Sequence, residues 1–154
     1  MTKTVLKEAQ THLRPDNEKS NRYIPFTVPK GTKKLFITYS YSPKILEDEK
    51  KSLELIKENI LRDAPEDFEA YTDYSEFMPL KNLVTLSLNS PSGFRGAAHR
   101  QDEKQFHEIG EHFASPGFIK GKIDEGQWSL ALNIHALVTD ICICNIKIEG
   151  EAEG

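Results

Sequence analysis

The stretch Gln127-Trp128-Ser129-Leu130-Ala131-Leu132-Asn133-Ile134-His135-Ala136-Leu137-Val138 decides the fold class. Trp128, Leu130, Leu132, Ile134 and Ala136 share one parity, and Gln127, Ser129, Ala131, Asn133 and His135 share the other. A period of two belongs to a β-strand, whose successive side chains point to opposite faces. One apolar and one polar parity describe a strand with the core on one side and water on the other. Trp128 stands on the apolar parity, which assigns it to the core rather than to a stacking platform for a sugar.

Outward from this strand the same grammar repeats. Residues 140–149 open apolar on both parities (Ile141, Cys142, Ile143, Cys144), as a central strand does. Residues 82–89 alternate Val84, Leu86 and Leu88 against Leu83, Thr85, Ser87 and Asn89, and residues 34–42 alternate Leu35, Ile37, Tyr39 and Tyr41 against polar neighbours and Phe36. Tyr23-Ile24-Pro25-Phe26-Thr27-Val28 reads as a strand that Pro25 places near a sheet edge or a bulge. The turn signal Pro29-Lys30-Gly31-Thr32 then predicts a hairpin joining residues 23–28 to 34–42. Residues 104–109 form a short strand, residues 14–21 a polar turn, and residues 4–13 fit neither period decisively. Breaks at Ser90-Pro91-Ser92-Gly93 and Ser115-Pro116-Gly117 separate the strands, and Gly93, Gly96, Gly117 and Gly121 suit positive φ.

One segment changes period. Leu46, Leu53, Ile56 and Ile60 lie near one helical face of residues 46–62, with charged residues on the others, and Pro65 follows. The expected architecture is a single mainly-β domain over residues 1–154: an antiparallel sandwich of jelly-roll type, with one amphipathic helix in an insertion at about 45–79 and packed over one end. Residues 63–79 form an acidic, aromatic, irregular connection.

Composition narrows the class. The 154 residues bury a core without needing disulfide or metal, and 38% hydrophobic with 29% charged residues suits an ordinary globular chain. Twenty basic residues are scattered among 24 acidic ones for a net charge of −4, with no basic stripe for nucleic acid. No apolar run is long enough to span a membrane, and residues 1–10 lack the apolar centre of a signal peptide, which points to the cytoplasm. Cys142 and Cys144, two apart in a strand, share a face and are expected as reduced, buried thiols.

Catalytic patterns are scarce. His107 and His112 flank Glu108 and Glu111 at a spacing of five, where a helical zinc-protease site needs four, and Gly110 interrupts them. There is no His-x-His, no Cys-x-x-Cys, no phosphate-cradling Gly-x-x-x-x-Gly-Lys and no Gly-x-Ser-x-Gly elbow. The polar segment Phe94-Arg95-Gly96-Ala97-Ala98-His99-Arg100 reads as a loop and supplies the candidate ligand residues Arg95, His99 and Arg100, joined by His135 on the polar parity of its strand. Arginines can clamp a carboxylate or phosphate, and histidine can donate or coordinate. The competing reading of the same side chains is that they pin the segment to backbone carbonyls or nearby acids.

Several segments, in order, resemble the N-terminal accessory β-sandwich of PHP-type metal-dependent hydrolases of the CehA/McbA-like group. They are Tyr23 with Pro25-Phe26-Thr27-Val28-Pro29-Lys30-Gly31, Leu35 through Tyr39-Ser40-Tyr41, then Leu83-Val84-Thr85-Leu86-Ser87-Leu88-Asn89-Ser90-Pro91-Ser92-Gly93-Phe94-Arg95-Gly96 with His99-Arg100. The series closes with Ala114-Ser115-Pro116-Gly117-Phe118-Ile119-Lys120-Gly121, Gly126-Gln127-Trp128 and the strand to His135. Asn89-Ser90 stands where related modules often carry an Asp-Pro turn. The resemblance implies a sandwich without chemistry of its own, because the metal-binding residues of such hydrolases belong to a separate catalytic domain that these 154 residues do not include.

The expected function is therefore a non-catalytic binding or assembly module, without cofactor, that takes a small polar ligand or a protein partner, be it a hydrolase or a second copy of itself. One alternative is a small metal-dependent hydrolase using His99, His107, His112 or His135 with Glu108 or Glu111. Another is a structural domain that self-associates or docks through the helix and Phe68, Tyr71, Tyr74 and Phe77.

Overall fold

The computed structural model describes residues 2–63, 65–66 and 78–153. Its elements are β1 (Thr2–Leu13), β2 (Ser20–Val28), β3 (Thr32–Ser42), α1 (Glu49–Asp63), β4 (Leu83–Ser90), β5 (Gly93–Ala98), β6 (Lys104–Gly110), β7 (Gly126–Ala136) and β8 (Cys142–Ala152). They build two four-stranded sheets, in the orders β1-β8-β3-β6 and β2-β7-β4-β5. Every pairing is antiparallel. The chain changes sheet at each connection except the β4–β5 hairpin, which is the jelly-roll path.

The apolar parities read from the sequence meet between the sheets. Leu35, Ile37, Tyr39 and Tyr41 of β3 and Cys142, Cys144, Ile146 and Ile148 of β8 belong to the same buried cluster as Val84, Leu86 and Leu88 of β4 and Trp128, Leu130, Leu132 and Ile134 of β7. Both cysteines are buried free thiols. The ambiguous residues 4–13 lie within the long edge strand β1, whose register on β8 slips between Val5 and Lys7. Before that bulge the strand shows little alternation of burial, which is why its period was hard to read.

The predicted β2–β3 hairpin does not form. β2 pairs with β7, while β3 lies between β8 and β6 in the opposite sheet. The turn at residues 29–32 is present, with the Thr32 hydroxyl donating to the Pro29 carbonyl at 2.8 Å. It carries the chain across the core rather than back along the same sheet. Each strand then buries its apolar face against the other sheet, an arrangement that alternation permits as readily as pairing. Pro25 sits on β2 at the edge of its sheet, as its missing N–H requires.

The opposite side of the sandwich is closed by residues 113–123. The Gly110 amide donates to Phe113 O at 2.7 Å and the Ser115 amide to Glu108 O at 2.8 Å, which covers the edge of β6. The Ala97 amide donates to Gly117 O and the Ile119 amide to Arg95 O, both at 3.0 Å, which covers the edge of β5. This approach leaves no room for side chains. A Cβ on Gly96 would lie 2.4 Å from Gly117 O, and one on Gly117 would lie 2.1 Å from Ala97 O, while both residues have positive φ.

The insertion leaves the sandwich through a narrow stem. Ile45 bridges Lys81, the Leu46 amide donates to Leu80 O at 2.9 Å, and the Asn82 amide donates to Lys44 O at 2.7 Å. Helix α1 starts at Glu49 because Asp48 caps it, accepting the Lys51 amide at 3.0 Å on its carboxylate. Its inner face buries Ser52 and Ile56, and Lys51 pairs with Asp140 in the β7–β8 connection. Phe68, Tyr71, Tyr74 and Phe77 lie outside the described residues.

Candidate functional site

The outer face of the β2-β7-β4-β5 sheet is assembled by strand register. Asn21, Asn133 and Thr85 form one row across β2, β7 and β4. Tyr23, Ala131, Ser87 and Ala97 form the next, across all four strands. Pro25, Ser129, Asn89 and Phe94 form the third, and Thr27 with Gln127 the last. The Thr27 hydroxyl donates to the Gln127 side-chain oxygen at 3.2 Å, and His135 Nε2 lies 2.8 Å from Thr85 Oγ1 at the far end. These rows contain no lysine, arginine, aspartate or glutamate.

The relief of this face is as distinctive as its charge. Ala131, in the middle, and Thr85, toward the His135 end, are each 3% exposed, whereas Tyr23 and Phe94, on the two edge strands, are 63% and 58% exposed. Small side chains (Ala131, Ser87, Ala97, Ser129) thus floor a trough between two aromatic rims. The outer face of the other sheet is built differently. Register there sets Glu8 against Lys147, and Lys3 and Lys34 on either side of Glu151. Lys34 Nζ also lies 3.6 Å from Glu108, and a groove of about 350 Å³ runs between Glu8, Gln10, Thr38, Ser40, Asn145 and Lys147. Opposite charges paired across neighbouring strands make that face an ordinary solvated one.

The segment read as the loop 94–100 is strand β5 as far as Ala98, and this divides the four candidate ligand residues. Arg95 is the extra residue of a bulge between the Asn89–Phe94 and Leu88–Gly96 pairs. The bulge turns its side chain inward, where Nε donates to Ile119 O at 3.1 Å, Nη1 to Lys122 O at 2.9 Å and Nη2 to Gly121 O at 3.1 Å. Its guanidinium lies 5.2 Å from the Trp128 ring centroid, and burial lowers its pKa against the opposing pull of Asp124. His99 is exposed and follows Ala98, the partner of Leu86, so it stands level with Thr85 at the end where His135 also lies. Arg100 is exposed and reaches Asp102 at 3.9 Å. His99 and His135 therefore share one end of the outer face, and Arg95 serves the interior at the other.

His107 and His112 separate as their spacing suggests. His107 is buried on β6, with Nε2 2.9 Å from the Gln105 side-chain oxygen and its ring 5.0 Å from that of Phe118. Burial, and next the charge of Arg100, depress its pKa. His112 is exposed in the turn beyond β6, beside Glu111 at 3.9 Å. Among the described residues, no group of three or more His, Cys, Asp or Glu is placed to hold a metal ion. Between the sheets, Tyr39 donates to Val84 O at 2.8 Å, and burial raises its pKa far above the usual phenol range. Tyr41 donates to Gln101 O at 2.8 Å, and burial pushes its pKa up to about 12.

Tyr23, Phe94, Ala131, Ser87 and Ala97 were not singled out by sequence reasoning, which reached only the polar parity of β7, with Ser129 and Asn133 beside His135. A signal existed in the polar parities of 21–27, 83–89 and 127–133, none of which contains a charge. It gains meaning only once register shows that these parities form one surface. No protein-family model matches the chain, and no curated protein matches it.

Proposed function

We propose that this chain is a non-catalytic binding module for a small, uncharged polar ligand, in keeping with its resemblance to the accessory sandwich of PHP-type hydrolases. The observation that carries the reading is the charge-free outer face of the β2-β7-β4-β5 sheet in a chain that is 29% charged. A face that meets only water has no reason to exclude charge, and the opposite face does not. A face that is covered by a ligand does have a reason, because desolvating an ammonium or carboxylate costs far more than desolvating an amide or hydroxyl. Asn21, Asn133, Asn89, Gln127, Ser129 and Ser87 each donate and accept, so they can match a neutral polar ligand without a counterion. His99 and His135 extend this surface at one end.

A thermal-shift screen against sugars, polyols, carboxylates, phosphates and divalent metals tests the reading. An uncharged polar compound should raise the melting temperature saturably, equivalent to about 2.7 kcal/mol at a hundredfold excess over Kd. Ser87→Arg, in the middle of the trough, should abolish the shift, and Thr38→Arg on the opposite face should not. The reading fails if only charged compounds or metals act, or if Ser87→Arg leaves the shift intact.

A further inference from the structure

We propose that the ligand is a neutral oligosaccharide lying across the strands in the trough between Tyr23 and Phe94; this rests on the binding reading above and names its ligand class.

Three features of the face select this chemistry. The first is the pairing of exposed aromatic rings with hydroxyl and amide side chains. A pyranose has one or two faces of C–H groups and a rim of hydroxyls, so it requires a flat apolar surface beside groups that donate and accept together. Tyr23 and Phe94 supply the rings, and Ser129, Ser87, Asn89 and Asn133 supply the polar partners.

The second feature is dimension. Tyr23 and Phe94 stand on the two edge strands of a four-stranded sheet, on adjacent rows. Three strand spacings separate them, about 14 Å. That is too far for one sugar ring to touch both, and it suits a short chain of linked rings. The floor between them is Ala131, Ser87, Ala97 and Ser129, whose small side chains let such a chain lie low between the aromatic rims.

The third is the absence of lysine, arginine, aspartate and glutamate from the rows. A phosphate, a uronate, a sulfated glycan or a charged peptide would find no opposite charge to offset its desolvation. A protein partner would call for large apolar side chains at the centre, and the centre of this face is serines and alanines.

Isothermal titration calorimetry of the purified chain against neutral gluco-, xylo-, manno- and chito-oligosaccharides, from monosaccharide to hexasaccharide, tests the proposal. At least one series should bind, with affinity rising as the chain grows long enough to reach both rings. Tyr23→Ala and Phe94→Ala should each weaken it about tenfold or more, a loss of about 1.4 kcal/mol. Phe106→Ala, an exposed ring on the other sheet's outer face, is the control and should bind as the parent does. Monosaccharides binding as tightly as hexasaccharides, or both trough variants binding normally, would overturn the oligosaccharide assignment. If no neutral glycan binds but another uncharged compound does, and Ser87→Arg blocks it, the glycan class falls and the binding face stands. If no uncharged compound binds at all, both fall.

Discussion

Arg95 shows how one residue's meaning depends on a backbone detail. Its three guanidinium nitrogens hold the carbonyls of Ile119, Gly121 and Lys122, so this charge organises the strap that closes the sandwich. Arg95→Ala leaves those carbonyls without their donor in a half-dry site and should cost at least about 2 kcal/mol in urea unfolding, whereas exposed Arg100→Ala should stay within about 0.5 kcal/mol. Arg95→Lys keeps a charge but not the three-way fork, and should recover less than half of the loss. The sequence held both readings of Arg95, anion clamp and backbone peg. It could not show that a bulge turns this residue inward, because a bulge depends on the partner strand's register and not on local composition. His107 supplies a second test at this scale. Its pKa in the folded chain is depressed, so the unfolded chain takes up the proton first as pH falls. Stability is therefore full above the unfolded histidine value of about 6.5 and declines as pH drops toward the folded value, by at most about 1.4 kcal/mol per pH unit. His107→Gln, which keeps a partner for Gln105, should flatten that part of the stability–pH curve measured by denaturant titration.

At the scale of elements, period was legible and neighbourhood was not. The apolar and polar parities of residues 127–134 and 83–89 stand as read, because burial on one face imposes a period of two whatever the partner strand. The helix was also legible, displaced by a few residues to where Asp48 caps it. The β2–β3 hairpin failed because a turn fixes how two strands are connected, not whether they share a sheet. The glycines divide along the same line. Gly31 and Gly117 both have positive φ, but space at Gly31 is open, whereas Gly117 lies against the β5 backbone. Gly31→Ala should cost only the conformational penalty, about 1 kcal/mol, and leave the transition cooperative. Gly117→Ala must also push the strap off the edge of β5 and should cost about 3 kcal/mol or more by the same thermal or urea melt. Equal losses at the two positions would mean that backbone angle, not the close approach, accounts for both glycines.

The molecule as a whole is a sandwich with two unlike outer faces and an appendage on a narrow stem. The unlike faces could not be assembled from the linear sequence, since each gathers four strands whose neighbours only the register reveals. The appendage was legible, and the structure shows how it is attached. The stem closes on itself through the Ile45–Lys81 bridge and the Leu46–Leu80 and Lys44–Asn82 hydrogen bonds. Asn82 then ties the stem's base to the sandwich, its side chain donating to Pro43 O at 2.7 Å and to the Thr139 hydroxyl at 2.8 Å. Among the described residues, the eight strands and their inter-sheet core contain none between 47 and 79. Replacing residues 47–79 with a short Gly-Asn turn should therefore leave a folded sandwich: the far-ultraviolet helical signal disappears, and one cooperative melt remains. Among the described residues, what the excision removes is the burial of Ile56 and the exposed Lys51–Asp140 pair, together about 2–3 kcal/mol, to which the ion pair adds least. The strand register that forms the charge-free face does not pass through the excised segment, so ligand binding there should survive the excision. If the shortened chain folds but no longer binds, the insertion is part of the site; if it fails to fold, the helix is part of the core.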